Sequence, residues 1–362
     1  MSKKVSVIIP CYNLKKDVIA GEAGNGETAF DICMQSVLSQ TIGLENMEII
    51  LVDDASTDDG YTSNVLRTYE QMFPEQVLVV LLEENQRQGG ARNIGLSYAA
   101  GEYVAFLDAD DWVSENLYEK VYQKAADADA DMVYFFHEAV KGRVRVPMDD
   151  LSIPESHCIL SDAELRKRFL HSPLVDYRCT TKLYRRQLLE DTGVGFPHHL
   201  IYEEPAFTYP LMFYVECYAV VPEILYHYRI NPNSTMNTSH SFERLKNHPM
   251  VQLMLFTEME ERGFMELYGE EIRYHFLHSY FYETLLFAAN QDIELPADFY
   301  EEMQDTVMGL VPGWKRNGYL DSDGDVLLAK VLDIGLERRY TQAELNRFCL
   351  QVKAWSKDSD DK

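Results

Sequence analysis

The sequence predicts an α/β fold: a mainly parallel sheet with helices on both faces, followed by a separate α-helical domain. Three observations lead there. Short apolar, β-prone runs alternate with helical patterns over the first 136 residues, the order that builds parallel sheets. Two of these runs, 49–54 and 103–111, end in carboxylates, and the carboxyl ends of parallel strands line the crevice where open α/β sheets bind ligands. Beyond about residue 242 strand signals stop and long amphipathic segments take over.

Taken in order, 5–10 is the first strand, stopped by Pro10, and a Gly- and Glu-rich loop (20–28) leads to a helix over 30–40. Strand 48–52 is followed by Ser56-Thr57-Asp58-Asp59, whose hydroxyls and carboxylates suit a helix N-cap, so a helix is expected to about residue 72. Strand 77–82, helix 91–100, strand 103–107, helix 117–126 and strand 132–136 complete the alternation. Past residue 141 the pattern loosens into helices over 161–171, 185–190 and 204–215 and a strand-like stretch, 219–229. Helices are then expected over 242–262, 270–290, 296–310, 326–338 and 341–355, with Tyr, Phe and Met at core spacing and a frayed tail. The turn-rich stretch 231–240 separates two domains, 1–236 and 237–362.

Composition narrows the class. In 362 residues, 46% hydrophobic and 12% aromatic content is ample for a sizeable core. A net charge of −26 excludes a general nucleic-acid or anionic-membrane binder. Six cysteines without CxxC spacing point to a reducing compartment and no structural zinc. The start, Met-Ser-Lys-Lys and then a strand, has no apolar leader, and the longest apolar stretch, 206–228, is broken by Pro210, Glu216 and Pro222. A cytoplasmic protein is expected, with peripheral contact at the inner face of a membrane left open.

The chemistry lies at the strand ends. Four or five converging carboxylates repel one another unless a cation sits between them, and a divalent metal carrying a nucleotide diphosphate meets that need. Asp54 and Asp53 end the second strand. A carboxylate only accepts hydrogen bonds, so it suits the N–H of uracil, thymine or guanine, with Tyr12 in reach to stack; forming the Ser56 turn would explain the pair equally well. Asp108 and Asp110 are two apart on an extended segment and point the same way, one toward ribose hydroxyls and the other toward a hard metal. Arg92 and Asn93, after Gly89-Gly90, bring a cation and close backbone toward phosphate or sugar, although a surface ion pair is an equal alternative. Glu203 and Glu204 precede an apolar segment, where a carboxylate with a raised pKa could accept a proton from an alcohol; helix-start glutamates are the plainer reading. His227, alternating with aromatics, reads as a strand residue, with a third metal ligand as its remote alternative. Asp321-Ser322-Asp323-Gly324-Asp325 has its glycine misplaced for a calcium loop and reads as a turn. No GxGxxG, GxxxxGK[ST] or GxSxG motif is present.

Seven stretches in order resemble the inverting nucleotide-sugar glycosyltransferases of family 2, with the GT-A fold. They are 5–13, 36–41, 50–58, 90–96, 101–111, 181–186 and 226–229, and they cover about residues 1–236. The resemblance implies that Pro10 and Tyr12 line the base pocket and that Asp54 binds the base N–H. It also implies that Asn85 and Arg92 face the diphosphate or donor sugar, Asp108 holds the ribose, Asp110 binds Mn²⁺ or Mg²⁺, and Glu204 is the general base. The implied reaction moves a sugar from a UDP-sugar to a hydroxyl of a glycan or lipid-linked acceptor in polysaccharide or cell-surface glycan synthesis, with inversion. The helical domain would contact the acceptor, a partner or a second copy. Three departures stand out: Glu204 where Asp is usual, Thr181 where Asn is common, and a long loop after Asn13. A sugar-1-phosphate nucleotidyltransferase would need a basic glycine-rich loop after the first strand, which Cys11-Tyr12-Asn13 does not supply. A non-catalytic nucleotide-sugar-binding scaffold is the other alternative.

Overall fold

The structure is a computed structural model that describes residues 3–16, 28–230, 241–320 and 325–360. Most of the expected loop at 20–28, the turn-rich boundary at 231–240 and the turn at 321–324 lie outside the described residues. The chain divides into two compact units, 1–231 and 232–362.

In the first unit the chain runs through β1 (Val5–Cys11), α1 (Ala29–Leu38), β2 (Met47–Asp53), α2 (Tyr61–Met72), β3 (Val77–Leu81), α3 (Arg87–Tyr98) and β4 (Tyr103–Phe106). It continues with β5 (Trp112–Val113), α4 (Leu117–Ala128), β6 (Met132–Lys141), β7 (Val144–Pro147), β8 (Ser156–Ile159) and α5 (Ala163–Leu170). The last elements are β9 (Lys182–Arg185), α6 (Arg186–Thr192), α7 (Glu204–Leu211) and β10 (Cys217–Arg229). All belong to one sheet in the order β3-β2-β1-β4-β9-β6-β10-β5, with β7 beside β6 and β8 beside β10. Strands β1–β4, β6 and β10 run the same way, whereas β9 lies antiparallel between β4 and β6. The sheet is therefore parallel in its long strands and mixed as a whole.

Helices cover both faces. Phe30, Met34 and Val37 of α1, Leu66 of α2 and Val121 of α4 pack with Val7, Ile9, Ile49 and Leu51 in one core. Helix α3 lies on the other face, where a Cβ on Gly95 would stand 2.4 Å from Ile8 Cγ2 and 3.3 Å from Val52 Cγ2. Only glycine lets this helix approach the sheet so closely.

Several boundaries moved for tertiary reasons. Helix α2 starts at Tyr61 rather than at the Ser56 cluster. Gly60, at φ +78°, turns the chain, and Asp58 accepts the Thr62 N–H at 3.1 Å. Strand β6 continues five residues past Phe136 because His137 is held by Asp149 at 2.8 Å and Glu138 by His227 at 2.7 Å. Strand β9 escaped the pattern because its first residue is a fully buried lysine. Lys182 Nζ reaches Asp176 at 3.2 Å and the Arg178 carbonyl at 2.7 Å. Burial alone would raise the Asp176 pKa, but Lys182 and Arg178 outweigh it and hold the carboxyl at about 2.

The second unit is helical: α8 (Phe242–Leu245), α9 (Asn247–Glu261), α10 (Met265–Phe276), a π-helical segment (Leu277–Glu283), α11 (Thr284–Asn290), α12 (Ala297–Leu310), α13 (Val326–Gly335) and α14 (Gln342–Asp360). Its periodic Met259, Phe281, Tyr300 and Met303 are buried, as core spacing predicts. The predicted helix over 270–290 is interrupted by the π segment, where His248 bonds the Thr284 hydroxyl at 3.0 Å. Among the described residues no helix is long and apolar enough to cross a membrane, and the six cysteines are free thiols.

Gly95→Ala is expected to lower stability by about 2 kcal/mol through overpacking of α3 on β1 and β2. A urea titration should show a lower midpoint at an unchanged m-value.

Candidate active site

The strand ends are locked together by their backbone. The Asp54 N–H donates to the Cys11 carbonyl at 2.9 Å, and the Leu107 N–H to the Ile8 carbonyl at 3.0 Å. The tips of β1, β2 and β4 therefore open on one edge. Asn13, at φ +54°, staples the first tip to the second: its N–H donates to Ser56 Oγ at 2.9 Å and its Oδ1 accepts the Thr57 N–H at 2.8 Å. Asp53 belongs to the turn, accepting the Ser56 N–H at 3.0 Å. Tyr12 is 47% exposed at this edge and Pro10 half-buried within β1.

Asp54 links the tip of β2 to α3. Its Oδ1 accepts the Gln86 N–H at 2.6 Å, and its carbonyl accepts from Asn85 Nδ2 at 3.0 Å. Burial pushes the Asp54 carboxyl up to about 6, against the Gln86 and Arg87 N–H groups and the Arg87 charge, with Asp53 adding repulsion. Capping by Asp54 explains why α3 begins at Arg87, four residues earlier than the sequence predicts.

Arg92 is the hub. It is 1% exposed, with Nη1 donating to Glu203 Oε1 at 2.7 Å and Nη2 to Asp108 Oδ1 at 2.8 Å. Its guanidinium carbon stands 5.3 Å from the Phe196 ring centre, which stacks on Phe207 at 4.1 Å and meets Phe106 edge-on at 5.4 Å. Asn93 clamps the backbone of Phe196 from both sides, accepting its N–H and donating to its carbonyl, each at 2.8 Å. Gly89 makes room: a Cβ there would stand 2.9 Å from both Glu203 Cγ and Phe196 Cβ. Of the two residues expected at the diphosphate or donor sugar, Arg92 is thus engaged inside the protein and the half-buried Asn85 holds the Asp54 carbonyl. A guanidinium buried to this depth needs carboxylate partners, and it has two.

Asp108 lies just past β4 and is partly exposed. Its Oδ1 takes Arg92 and Gln88 Nε2, the latter at 2.6 Å. The Asp111 N–H closes a turn on the Asp108 carbonyl at 3.1 Å. Asp111 itself is buried, accepting the Tyr226 hydroxyl and, at 2.7 Å, the Arg229 N–H. Burial and then the charges of Asp110 and Asp108 raise its pKa. Arg229 Nε donates to the Asp110 carbonyl at 2.8 Å, and its guanidinium lies 4.7 Å from the Trp112 ring centre. His227 stacks on Trp112 at 5.3 Å, with Nδ1 on Glu138 and Nε2 on Ser114 Oγ at 3.0 Å, so both ring nitrogens have partners that leave it a strand residue.

Among the described residues no three His, Cys, Asp or Glu side chains form a metal cluster on their own. Asp108 and Asp110 nevertheless suit a hard cation, which takes one or two protein carboxylates and completes its shell with phosphate oxygens and water. The acidic pair at the start of α7 divides its work. Glu203 is 6% exposed and bound to Arg92; burial raises its pKa and Arg92 opposes the rise. Glu204 is partly exposed, and its Oε1 accepts the Cys179 N–H at 2.9 Å. Sequence reasoning missed Gln88, for which no signal exists; it picked out Asn93 toward phosphate or sugar, whereas the structure turns Asn93 inward as the clamp on Phe196.

The description of Glycosyl transferase family 2 matches residues 6–193, just over half of the chain. Glycosyltransferase GlyG of Streptococcus pneumoniae is 38% identical over 136 residues, 37% of this chain and 38% of that protein. The poly(ribitol-phosphate) beta-N-acetylglucosaminyltransferase TarP of Staphylococcus aureus is 26% identical over 238 residues, 65% of each. The chain thus spans less than two thirds of these relatives. Residues 1–349 of S. aureus TarS, solved in complex with UDP-GlcNAc, superimpose with a TM-score of 0.64 at 19% identity, covering 98% of this chain and 92% of that one. That likeness establishes a GT-A fold.

Replacing Arg92 by Met strands Asp108 and Glu203 beside apolar rings. A loss of about 3–5 kcal/mol is expected, read as a lower midpoint in chemical denaturation. Arg92→Lys, able to reach one carboxylate but not both, should recover only part of it.

Proposed function

The chain belongs to glycosyl transferase family 2, and from that premise we propose a metal-dependent, inverting transfer of a sugar from a UDP-sugar to a hydroxyl of a cell-surface polymer. The observation that carries this reading is the shared edge of the β1, β2 and β4 tips. It sets Asp54, Tyr12 and the Asp108–Asp111 turn around one crevice, with Asp108 fixed from behind by Arg92 and Gln88. UDP-GlcNAc in the solved TarS complex supports a uridine donor. The poly(ribitol-phosphate) named for TarP supports a cell-wall polymer as acceptor.

In this reading Tyr12 and Pro10 border the base, Asp54 accepts its N–H, and Asp108 takes the ribose hydroxyls. Asp110 would hold Mn²⁺ or Mg²⁺, whose charge would favour departure of the diphosphate. Glu204, rather than Glu203, takes the acceptor proton. Glu203 is committed to Arg92, whereas Glu204 is partly exposed and steadied at one oxygen by the Cys179 N–H. A positioned carboxylate of this kind contributes about 10²–10⁴-fold. The extra methylene of Glu over Asp extends its reach, and the anchored oxygen limits its wandering.

Glu204→Gln should therefore keep UDP-GlcNAc binding, measured by calorimetry with Mn²⁺, and lower transfer at least about 100-fold. Transfer at the parent rate would remove Glu204 from the mechanism. Asp110→Asn should abolish both the metal requirement and turnover.

Donor binding should also depend on pH. With a folded pKa of about 6, Asp54 is ionised at pH 7.5 and gains a proton as pH falls through 6. The base N–H then loses its acceptor. Binding of a diphosphate diester donor, which has no group titrating in this range, should weaken with a midpoint near 6, and Asp54→Asn should flatten the profile. A wild-type profile flat from pH 7.5 to 5 would separate Asp54 from the base.

A further inference from the structure

The far side of the crevice carries a cationic face that the donor reading leaves unused. Strands β7, β6, β10 and β5 lie side by side, and their register aligns residues in rows. Arg145, Val140 and Arg229 stand opposite one another in one row; Pro147, Glu138, His227 and Trp112 form the next. Partners in register share a face, so Arg145 and Arg229 point the same way, about 10 Å apart across two strand spacings. Both guanidiniums approach the Trp112 ring, at 6.0 and 4.7 Å. Trp112 is two residues past Asp110, whose carbonyl holds Arg229. Strands β6 and β10 run with β4, so their carboxyl ends share the edge of the candidate site.

The hairpin that carries Arg145 stands out from the rest of the molecule. Residues 141–148 are all exposed, including both strand faces of β7. They contain Lys141, Arg143 and Arg145 and no acid, in a chain with 59 acidic and 33 basic residues. Glu138 offsets Arg145, whose side chain stays 54% exposed. Lys141, Arg143 and Arg229 make no salt bridge among the described residues. Edge strands do use charges and proline to avoid pairing, but that purpose does not require Arg145 to line up with Arg229 over Trp112 toward the site.

We propose that this face holds an anionic acceptor, a polymer of phosphate-linked polyols or sugars, and guides its hydroxyl to the crevice at Asp110. The proposal rests on the glycosyl-transfer reading. A polyanion is repelled by the chain as a whole, so it needs a local cationic track to dock, and this one ends at the reacting centre. A lipid surface fits less well. Val144 and Val146 alternate with Arg145 along β7 and lie on its other face, so a flat bilayer cannot meet both them and the Arg145–Arg229 row.

The test titrates the full chain with inorganic polyphosphate, neutral dextran and phosphatidylglycerol vesicles at low salt. Polyphosphate should bind and weaken steeply with salt, and dextran should not bind. The variant Arg145→Gln should lose about tenfold in polyphosphate affinity while its thermal shift with UDP-GlcNAc stays unchanged. The Arg145 side chain is 54% exposed, and Arg145→Ala serves as the second variant if the first misfolds. Unchanged polyphosphate affinity in these variants, no polyphosphate binding by the parent chain, or binding to vesicles alone would overturn the proposal. Failure of the transfer reading looks different: polyphosphate would bind through this face while no nucleotide sugar shifts stability or reacts.

Discussion

The candidate site depends on one buried cation. Arg92 reaches from α3 to Asp108 after β4 and to Glu203 before α7, joining two consecutive elements to one 111 residues further along the chain. A guanidinium out of water is costly unless its charge is paired, and the buried Glu203 carboxylate would be costly there without it. Each partner thus makes the others tolerable. The aromatic floor of Phe196, Phe106 and Phe207 excludes water beneath the guanidinium, strengthening both ion pairs. Asn93, one residue on, fixes Phe196 through its backbone, so cation and floor are positioned by the same turn of helix.

That arrangement settles how a strongly acidic edge can persist. Asp53 is absorbed by a turn, Asp54 by the start of α3, Asp111 by Tyr226 and Arg229, and Glu203 by Arg92. Asp108, Asp110 and Glu204 keep exposed surface. The site is thus a small set of partly exposed carboxylates set in a frame of buried ones, and the frame fixes where the exposed ones stand.

The same logic extends across the sheet. Arg229 anchors the turn that carries Asp110 and also caps a row of side chains leading to the β6–β7 hairpin. Donor and acceptor would then approach from opposite sides of a single turn, the acceptor along the cationic row and the donor at the carboxylates that suit a metal ion. Such a division suits a reaction in which an anionic donor and an anionic acceptor must meet on an acidic protein.

The sequence by itself determined the alternation of strands and helices, the apolar strands that end in Asp54 and Asp108, and the helical second unit, because periodicity and strand-end chemistry are local properties. It also singled out Arg92 and the Glu203–Glu204 pair. It did not foresee that Arg92 faces inward, that β9 can carry a buried Lys182, or that β6 runs on through His137 and Glu138. Each of these breaks the local pattern of apolar inside and polar outside, and each is permitted by a partner outside its own helix or strand: Glu203, Asp176, Asp149 and His227. Long-range pairing of buried charge is invisible to periodicity, because its energy comes from a neighbour that only the folded chain brings within reach.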